Sequence, residues 1–482
     1  MQRRTKILAT LGPATDRPGV LDALLMAGVD LVRLNLSHGS HEEHRRRAEA
    51  IRDRAQACGR QVGVLVDLQG PKIRIGHFQA GFVDLKEDDE FILDARCPID
   101  QGDANRVGIT FPALVDDVKR GDTLMLADGA IELWISEVQD LQVRCRVVIG
   151  GRLSDSKGIN KKGGGLSAPA LTDKDKTDIV FASSIEADYL AVSFVRNAED
   201  VHQARKLLQE AGGSAWIVSK VERAEAIDAI DGIIASSEAI MIARGDLGVE
   251  IGDAELPAQQ KRLIKMARTG DKVVITATQM MESMIENAIP TRAEVFDVAN
   301  AVLDGTDAVM LSAETAAGHY PVKAVEAMDR VCREAEKQVM RSHHRIDTMF
   351  HRVDEAIAMA TMYTANHLGV KAIAALTESG STPKWMSRIS SGIPIYALTS
   401  HVGTERKVTL FRGVNPVSFD VTGHDSQKAN EVIIEELQRR GAVRNGDLVI
   451  ITKGDLRGEK GGTNVMKIIR VGEHILPDPV VD

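Results

Sequence analysis

Lys220, Glu222, Arg244 and Asp246 close two short apolar runs, AWIVSKVE (215–222) and AIMIARGD (239–246). Successive residues of a strand point to opposite faces, so Lys220 and Glu222 share one face, and Arg244 and Asp246 are expected to share another. One helical stretch separates the runs. That spacing predicts parallel neighbours, with Glu222 and Asp246 leaving adjacent strand ends where they can meet. Two carboxylates so placed repel unless a cation lies between them. An all-oxygen pair suits magnesium or manganese and leaves coordination positions open for a substrate phosphate. The same four residues also fit a solvated ion-pair network at a barrel rim, and spacing alone does not separate the two readings.

The elements that must position these groups recur along the chain. Strand-like runs stand at KILAT (6–10), DLVRLN (30–35), VGVLVD (62–67), DYLAVSF (188–194), AWIVSKVE, AIMIARGD, KVVITAT (272–278) and DAVMLSAE (307–314), with helical stretches between them. Eight strands alternating with helices predict an α/β chain whose centre is a (β/α)8 TIM barrel. Ser40 to Glu43 and Thr291 to Glu294 read as capping boxes, and RAEVFDVANAVLD after Thr291 is apolar at helical spacing until Gly305.

Two regions depart from that rhythm. About 120 residues separate the third and fourth strands, far more than one crossover needs. Within them GFVDL, FILDA, TLMLADG, IELWISEV and LQVRCRVVIGG alternate in short runs broken by Gly and Asp, which predicts a small β-barrel inserted at the catalytic rim as a lid. KKGGGLSAP (161–169) is its return hinge. Beyond residue 345, KAIAALT (371–377), PIYALTS (394–400), VNPVSF (414–419), DLVIITKG (447–454) and VMKIIRVG (465–472) alternate with helices as a separate α/β domain. The expected domains are therefore 1–70 with 167–345 (barrel), 71–166 (lid) and 346–482 (C-terminal, regulatory).

Composition narrows the function. The 482 residues exceed one ordinary core, and 44% hydrophobic with 27% charged residues is a soluble globular balance. A net charge of -9 leaves no basic footprint for nucleic acid. Cys58, Cys97, Cys145 and Cys332 lie far apart, without metal-ligand spacing, which fits a reduced, cytoplasmic setting. The N-terminal apolar run is too short for a leader or a membrane segment, so neither export nor membrane attachment is expected.

Polar residues gather at the carboxyl ends of the barrel strands: Arg33, Asn35 and Ser37 on the second, Asp67 on the third, Lys220 and Glu222 on the fifth, Asp246 on the sixth and Thr278 on the seventh. Strands buried on both sides should be apolar, and this end is where barrel enzymes do chemistry. Carboxylates, an arginine and a lysine together suit phosphoryl transfer, in which the protein positions groups and neutralises charge. GxxxxGK[ST], HRD and DFG signatures are missing from the sequence.

VRLNLSHGS (32–40), VDLQGPKIRIG (66–76), SKVERAEA (219–226), IARGDLGVEI (242–251) and TATQMMESM (276–284), in this order, resemble the pyruvate kinase family in its bacterial form. The resemblance implies phosphoryl transfer from phosphoenolpyruvate to ADP, giving pyruvate and ATP. It places the divalent metal (Mg²⁺ or Mn²⁺) on Glu222 and Asp246, the substrate against Gly245, Lys220 at the transferring phosphoryl, Arg33 on the phosphate and Thr278 near the protonation of enolpyruvate. Asn35, Ser37, His38, Arg74 and Lys157 match nucleotide-side positions. Where many members read DTKGPEIR, this chain reads DLQGPKIR. In potassium-requiring members Asn35, Ser37, Asp67 and a threonine at 68 hold the ion. Leu68 has no side-chain oxygen and Lys72 brings an ammonium, so K⁺ is not expected to be required.

TESGST (377–382) is a hydroxyl-rich turn after a strand. In this family the corresponding region binds phosphorylated effectors, which makes Thr377, Ser379, Ser381 and Thr382 the candidate allosteric site for a sugar phosphate or AMP. The bland alternative is an N-capping turn, and RGEKGGTN (457–464) is a weaker contributor. A homotetramer is the family's usual assembly. His41 and His44 are read as solvated and Met280, Met281 and Met284 as packing residues. Other readings remain: a metal-dependent lyase or aldolase acting on a pyruvate enolate, or an inactive sugar-phosphate sensor.

Overall fold

The computed structural model describes residues 2–338, 350–420, 426–454 and 462–473. Eight parallel strands close into a barrel: β1 (Lys6–Thr10), β2 (Leu31–Asn35), β3 (Gly63–Asp67), β4 (Tyr189–Val192), β5 (Trp216–Val221), β6 (Ala239–Ala243), β7 (Val273–Ala277) and β8 (Ala308–Leu311), in the order β1-β8-β7-β6-β5-β4-β3-β2. Every residue of β1, β3, β4, β6, β7 and β8 is buried. With barrel interior on one side and helices on the other, no strand face meets water, which is why these runs are mostly apolar and why Lys6, Thr10, Asp67 and Thr276 are buried exceptions.

Contacts divide the chain into two compact units, Met1–Leu34 with Glu42–Leu65 and Met280–Asp482, and Asn35–His41 with Val66–Gln279. In the second unit the inserted region forms a six-stranded sheet and a two-stranded ribbon. Its strands alternate as expected: in Gln142–Ile149, Val143, Cys145 and Val147 enter a core with Phe91, Leu124, Leu133 and Ile135, while Arg144 and Arg146 face out. In the first unit the C-terminal sheet is made of β9 (Ala372–Leu376), β10 (Ile395–Thr399), β11 (Val414–Ser418), β12 (Leu448–Gly454) and β13 (Thr463–Arg470), in the order β11-β10-β9-β12-β13 with β13 antiparallel. Thr291 caps helix Arg292–Asp304 in a reciprocal capping box, and Gly305 ends it at φ 96°. No described helix is long and apolar enough to cross a membrane.

Two expectations fail. AIMIARGD is not one strand: β6 stops at Ala243 and Arg244–Ile251 is a helix, so Arg244 and Asp246 share no strand face. The Arg244 side chain bonds the Ala277 and Thr278 carbonyls, drawing the chain off the strand direction and leaving Asp246 in the first helical turn, where the dipole favours a carboxylate. His44 is buried, because it lies on the inward face of helix His41–Ala57 with Ala48, Ile51 and Ala55. His41 stacks on Phe181 with ring centroids 4.3 Å apart, and its Nε2 lies 2.7 Å from Asp178 Oδ1.

Within the first unit, buried polar contacts tie the C-terminal sheet to the barrel. Lys6 Nζ donates to the Val414 carbonyl (2.6 Å), and Arg388 forks onto the fully buried Asp307 carboxylate, with one arm at 2.8 Å. Removing one partner of such a pair strands a charge in a low-dielectric interior. Asp307→Ala is therefore expected to destabilise the chain by about 3–5 kcal/mol, read as a lowered thermal midpoint. An unchanged midpoint would show that this junction carries no stability.

Candidate active site

β5 and β6 pair in parallel with Lys220 opposite Met241 and Val221 opposite Ile242, which sets Glu222 and the start of the Arg244–Ile251 helix side by side at the carboxyl ends. The Lys220 ammonium is the hub. It lies 2.9 Å from Glu222 Oε1 and 3.2 Å from Asp67 Oδ1, and donates to Ser193 Oγ at 2.7 Å. Ser193 in turn donates to the Leu68 carbonyl at 2.7 Å. Three adjacent strands, β3, β4 and β5, thus converge on one buried cation.

Glu222 Oε2 accepts from the Phe194 amide at 2.8 Å. Burial pushes the Glu222 carboxyl above its ordinary range; Lys220 opposes the shift, and the neighbouring Asp246 and Asp67 carboxylates add to it. Glu222 and Asp246 therefore feel one another. A divalent cation between them would relieve both the repulsion and the burial penalty, and oxygen donors suit magnesium or manganese. Among the described residues no group of three or more His, Cys, Asp or Glu side chains is placed to hold a metal. The pair is not a closed cage, so a bound ion would draw its remaining ligands from substrate and water.

Thr278 follows β7 with φ 64°, a left-handed conformation that is a real outlier for a β-branched residue. It is held there by Arg244, whose Nη2 donates to the Thr278 carbonyl at 2.6 Å. Its Oγ1 accepts from the Gly245 amide (2.8 Å) and donates to the Ala277 carbonyl (2.6 Å). This strain aims a hydroxyl at the turn carrying Gly245 and Asp246.

Lys72, where the chain leaves the barrel, places Nζ 3.2 Å from Asp246 Oδ1 and 3.8 Å from Asp128 Oδ1. The ammonium sits on the Asp246 carboxylate, while Asp67 faces Lys220 and the Leu68 side chain is buried. Asn35, Ser37 and His38 form one turn, with the Ser37 amide donating to Asn35 Oδ1 (3.2 Å) and the His38 amide to the Asn35 carbonyl (3.3 Å). Arg74 lies on the inserted region, its Nη1 on the Ser156 carbonyl (2.8 Å), next in sequence to Lys157, whose carbonyl accepts from the Ile75 amide. Arg33 lies in the middle of β2 in the first unit, its Nη1 3.2 Å from Thr10 Oγ1.

In the C-terminal sheet, Thr377 Oγ1 accepts from the Gly380 amide (2.9 Å) and Ser379 Oγ donates to Ser381 Oγ (3.3 Å). Thr382 is buried with its hydroxyl 2.8 Å from Thr463 Oγ1. Residues 457–461 of RGEKGGTN lie outside the described residues.

Sequence reasoning did not single out Ser193, the Phe194 amide or the support that Arg244 gives Thr278. Ser193 had a signal: it is polar at the carboxyl end of an apolar strand run, the same mark that exposed the others.

Fold and site together define a (β/α)8-barrel enzyme with an inserted β region and a C-terminal α/β region. The family model for the pyruvate kinase barrel domain matches residues 2–325, and that for the pyruvate kinase alpha/beta domain matches 355–469. Pyruvate kinase II of Salmonella typhimurium is 54% identical over 97% of this chain and 99% of that protein. The pyruvate kinase of Haemophilus influenzae is 51% identical over 94% and 96%. A crystal structure of a pyruvate kinase from Cryptosporidium parvum superposes with a TM-score of 0.91 at 34% identity, covering 97% of this chain and 96% of that one. The chain belongs to the pyruvate kinase family and is a phosphotransferase.

Lys220→Met keeps the side chain's length and removes its charge. The change also leaves the buried Glu222 and Asp67 carboxylates without their counter-charge, so the thermal midpoint should fall. At a temperature where the circular dichroism spectrum is still native, turnover is expected to fall by about 10³-fold or more, and a rate near that of the unmodified chain would remove Lys220 from the chemistry.

Proposed function

We propose that this chain transfers the phosphoryl group of phosphoenolpyruvate to ADP, giving pyruvate and ATP. The observation that carries the reading is the buried Lys220 ammonium between Glu222 and Asp67, beside a second carboxylate, Asp246, on the next strand's helix. Glu222 and Asp246 would hold a divalent ion, which when bound would supply charge neutralisation for the substrate's carboxylate and phosphate. Lys220, held by Ser193, Asp67 and Glu222, is positioned to offset the charge that develops on the transferring group and on the enolate. The Gly245 backbone orients the substrate, and Arg33 clamps its phosphate. Thr278 organises the side on which the enolate takes its proton. Asn35, Ser37, His38, Arg74 and Lys157 receive the nucleotide in place of a phosphate-binding loop, and the inserted region excludes water from a group that water would hydrolyse.

Pyruvate release from phosphoenolpyruvate, measured with and without ADP, tests this. Release that requires ADP and stops on chelation of divalent metal is the expected result. ADP-independent release would point to a lyase, and no release would point to an inactive sensor.

Potassium independence belongs to the same reading. Leu68 offers no side-chain oxygen, and the Lys72 ammonium already stands against Asp246. Initial rates in tetramethylammonium buffer are expected to change little on adding KCl at fixed ionic strength; a many-fold rise would sink the idea.

Regulation by a phosphorylated sugar or AMP is assigned to the turn of Thr377, Ser379 and Ser381, with Thr382 fixing its base through Thr463. A thermal-shift series with phosphorylated metabolites should show one that raises the melting temperature, and its effect should vanish in Ser381→Ala.

The proposal keeps three domains, 1–70 with 167–345 (barrel), 71–166 (inserted lid) and 346–482 (C-terminal). A cytoplasmic homotetramer completes the proposal. The four cysteines are free, as a reducing compartment requires, and Ile289 and Phe296 expose about three-quarters of their surface near one helix, as a subunit contact would.

A further inference from the structure

Outside the reacting cluster, ionisable side chains crowd where the inserted region rejoins the barrel. The return segment crosses Gly163, Gly164 and Gly165 at φ 82°, 76° and 92°, a left-handed run that side chains resist. A Cβ on Gly164 would meet Glu225 Oε2 at 2.7 Å. Three contacts pin this run: the Gly163 amide donates to the Glu250 carbonyl (2.9 Å), the Gly165 amide to Glu225 Oε1, and Arg223 Nη1 to the Leu166 carbonyl (3.0 Å).

Glu250 meets this run through its backbone carbonyl, while its side chain reaches two other neighbours. Its Oε2 accepts from the Ala224 amide at 2.9 Å, just after Glu222, and its carboxyl bonds the Asn160 side chain on strand Ile159–Lys161 of the inserted region. It sits on the Arg244–Ile251 helix, whose first turn carries Asp246. One buried side chain thus joins the segment after Glu222, the helix of Asp246 and the returning β region.

We propose that Glu250 is a positioning residue that sets the spacing between the Glu222 and Asp246 segments and registers the 161–169 return segment against them. The catalytic consequence rests on the proposed phosphoryl transfer; the structural consequence does not. Burial pushes the Glu250 carboxyl up to about 7, with Glu225 adding to the shift and Arg223 opposing it. The Arg223 guanidinium is shared among the charges of Glu250, Glu225 and Asp200, with Arg196 nearby, and glutamine, a neutral acceptor of the same length, is the conservative replacement at position 250.

The full chain is compared with Glu250→Ala and Glu250→Gln by two readouts: hydrogen exchange over 161–169 without substrates, and the Mg²⁺ concentration for half-maximal rate with phosphoenolpyruvate and ADP. The alanine variant is expected to exchange faster and to need more Mg²⁺, each by about tenfold or more, while the glutamine variant stays within about twofold. Should the alanine variant not fold, Glu250→Asp, which withdraws the carboxyl by one methylene, is read the same way. Exchange and Mg²⁺ response unchanged in the alanine (or aspartate) variant, or a glutamine variant as impaired as that one, would overturn the proposal. An unmodified chain without activity would instead overturn the proposed reaction and leave the exchange result to decide this inference.

Discussion

A carboxylate as deeply buried as Glu222 survives in this barrel because the Lys220 ammonium stands against it, and the ammonium survives because Asp67 and the Ser193 hydroxyl stand on its other sides. Ions removed from water lose several kcal/mol of hydration each, and only close opposite charge with full hydrogen bonding restores it. The cluster still holds more negative than positive charge once Asp246 is counted, even with Lys72 at 3.2 Å. A divalent ion would reverse that excess and leave net positive charge, which is what an anionic ligand needs.

The surrounding elements serve that balance. Parallel pairing of β5 with β6 places two chain ends together, and the strained Thr278 turn fixes where the second of them points. Arg244 contributes by holding that turn through backbone carbonyls, a supporting role that explains why so strong a cation beside the site is spent internally. The inserted region is anchored by a run of left-handed glycines and by the Glu250 and Glu225 contacts, which couple its return to the segments that carry the acids.

The C-terminal sheet is joined to barrel strands of its own unit by buried ionic and carbonyl contacts, Arg388 to Asp307 and Lys6 to Val414. Such contacts are intolerant of misalignment, because any slip leaves a charge unpaired.

Much was determined by the sequence alone. Strands covered on both faces are apolar along most of their length, so eight such runs were enough to state the barrel, and the polar residues at their ends marked Lys220, Glu222, Asp246 and Thr278 as candidates. Alternation exposed the inserted β region for the same reason. What only the tertiary structure decided were contacts between residues distant in the chain: Lys72 with Asp246, Lys220 with Ser193, Glu250 with Ala224 and Asn160. Local periodicity also misjudged the end of β6 and the burial of His44, because a guanidinium from the same turn and the packing of a helix face overrode it. Periodicity reports which face of an element is buried; it carries no record of which side chain from elsewhere will meet that face.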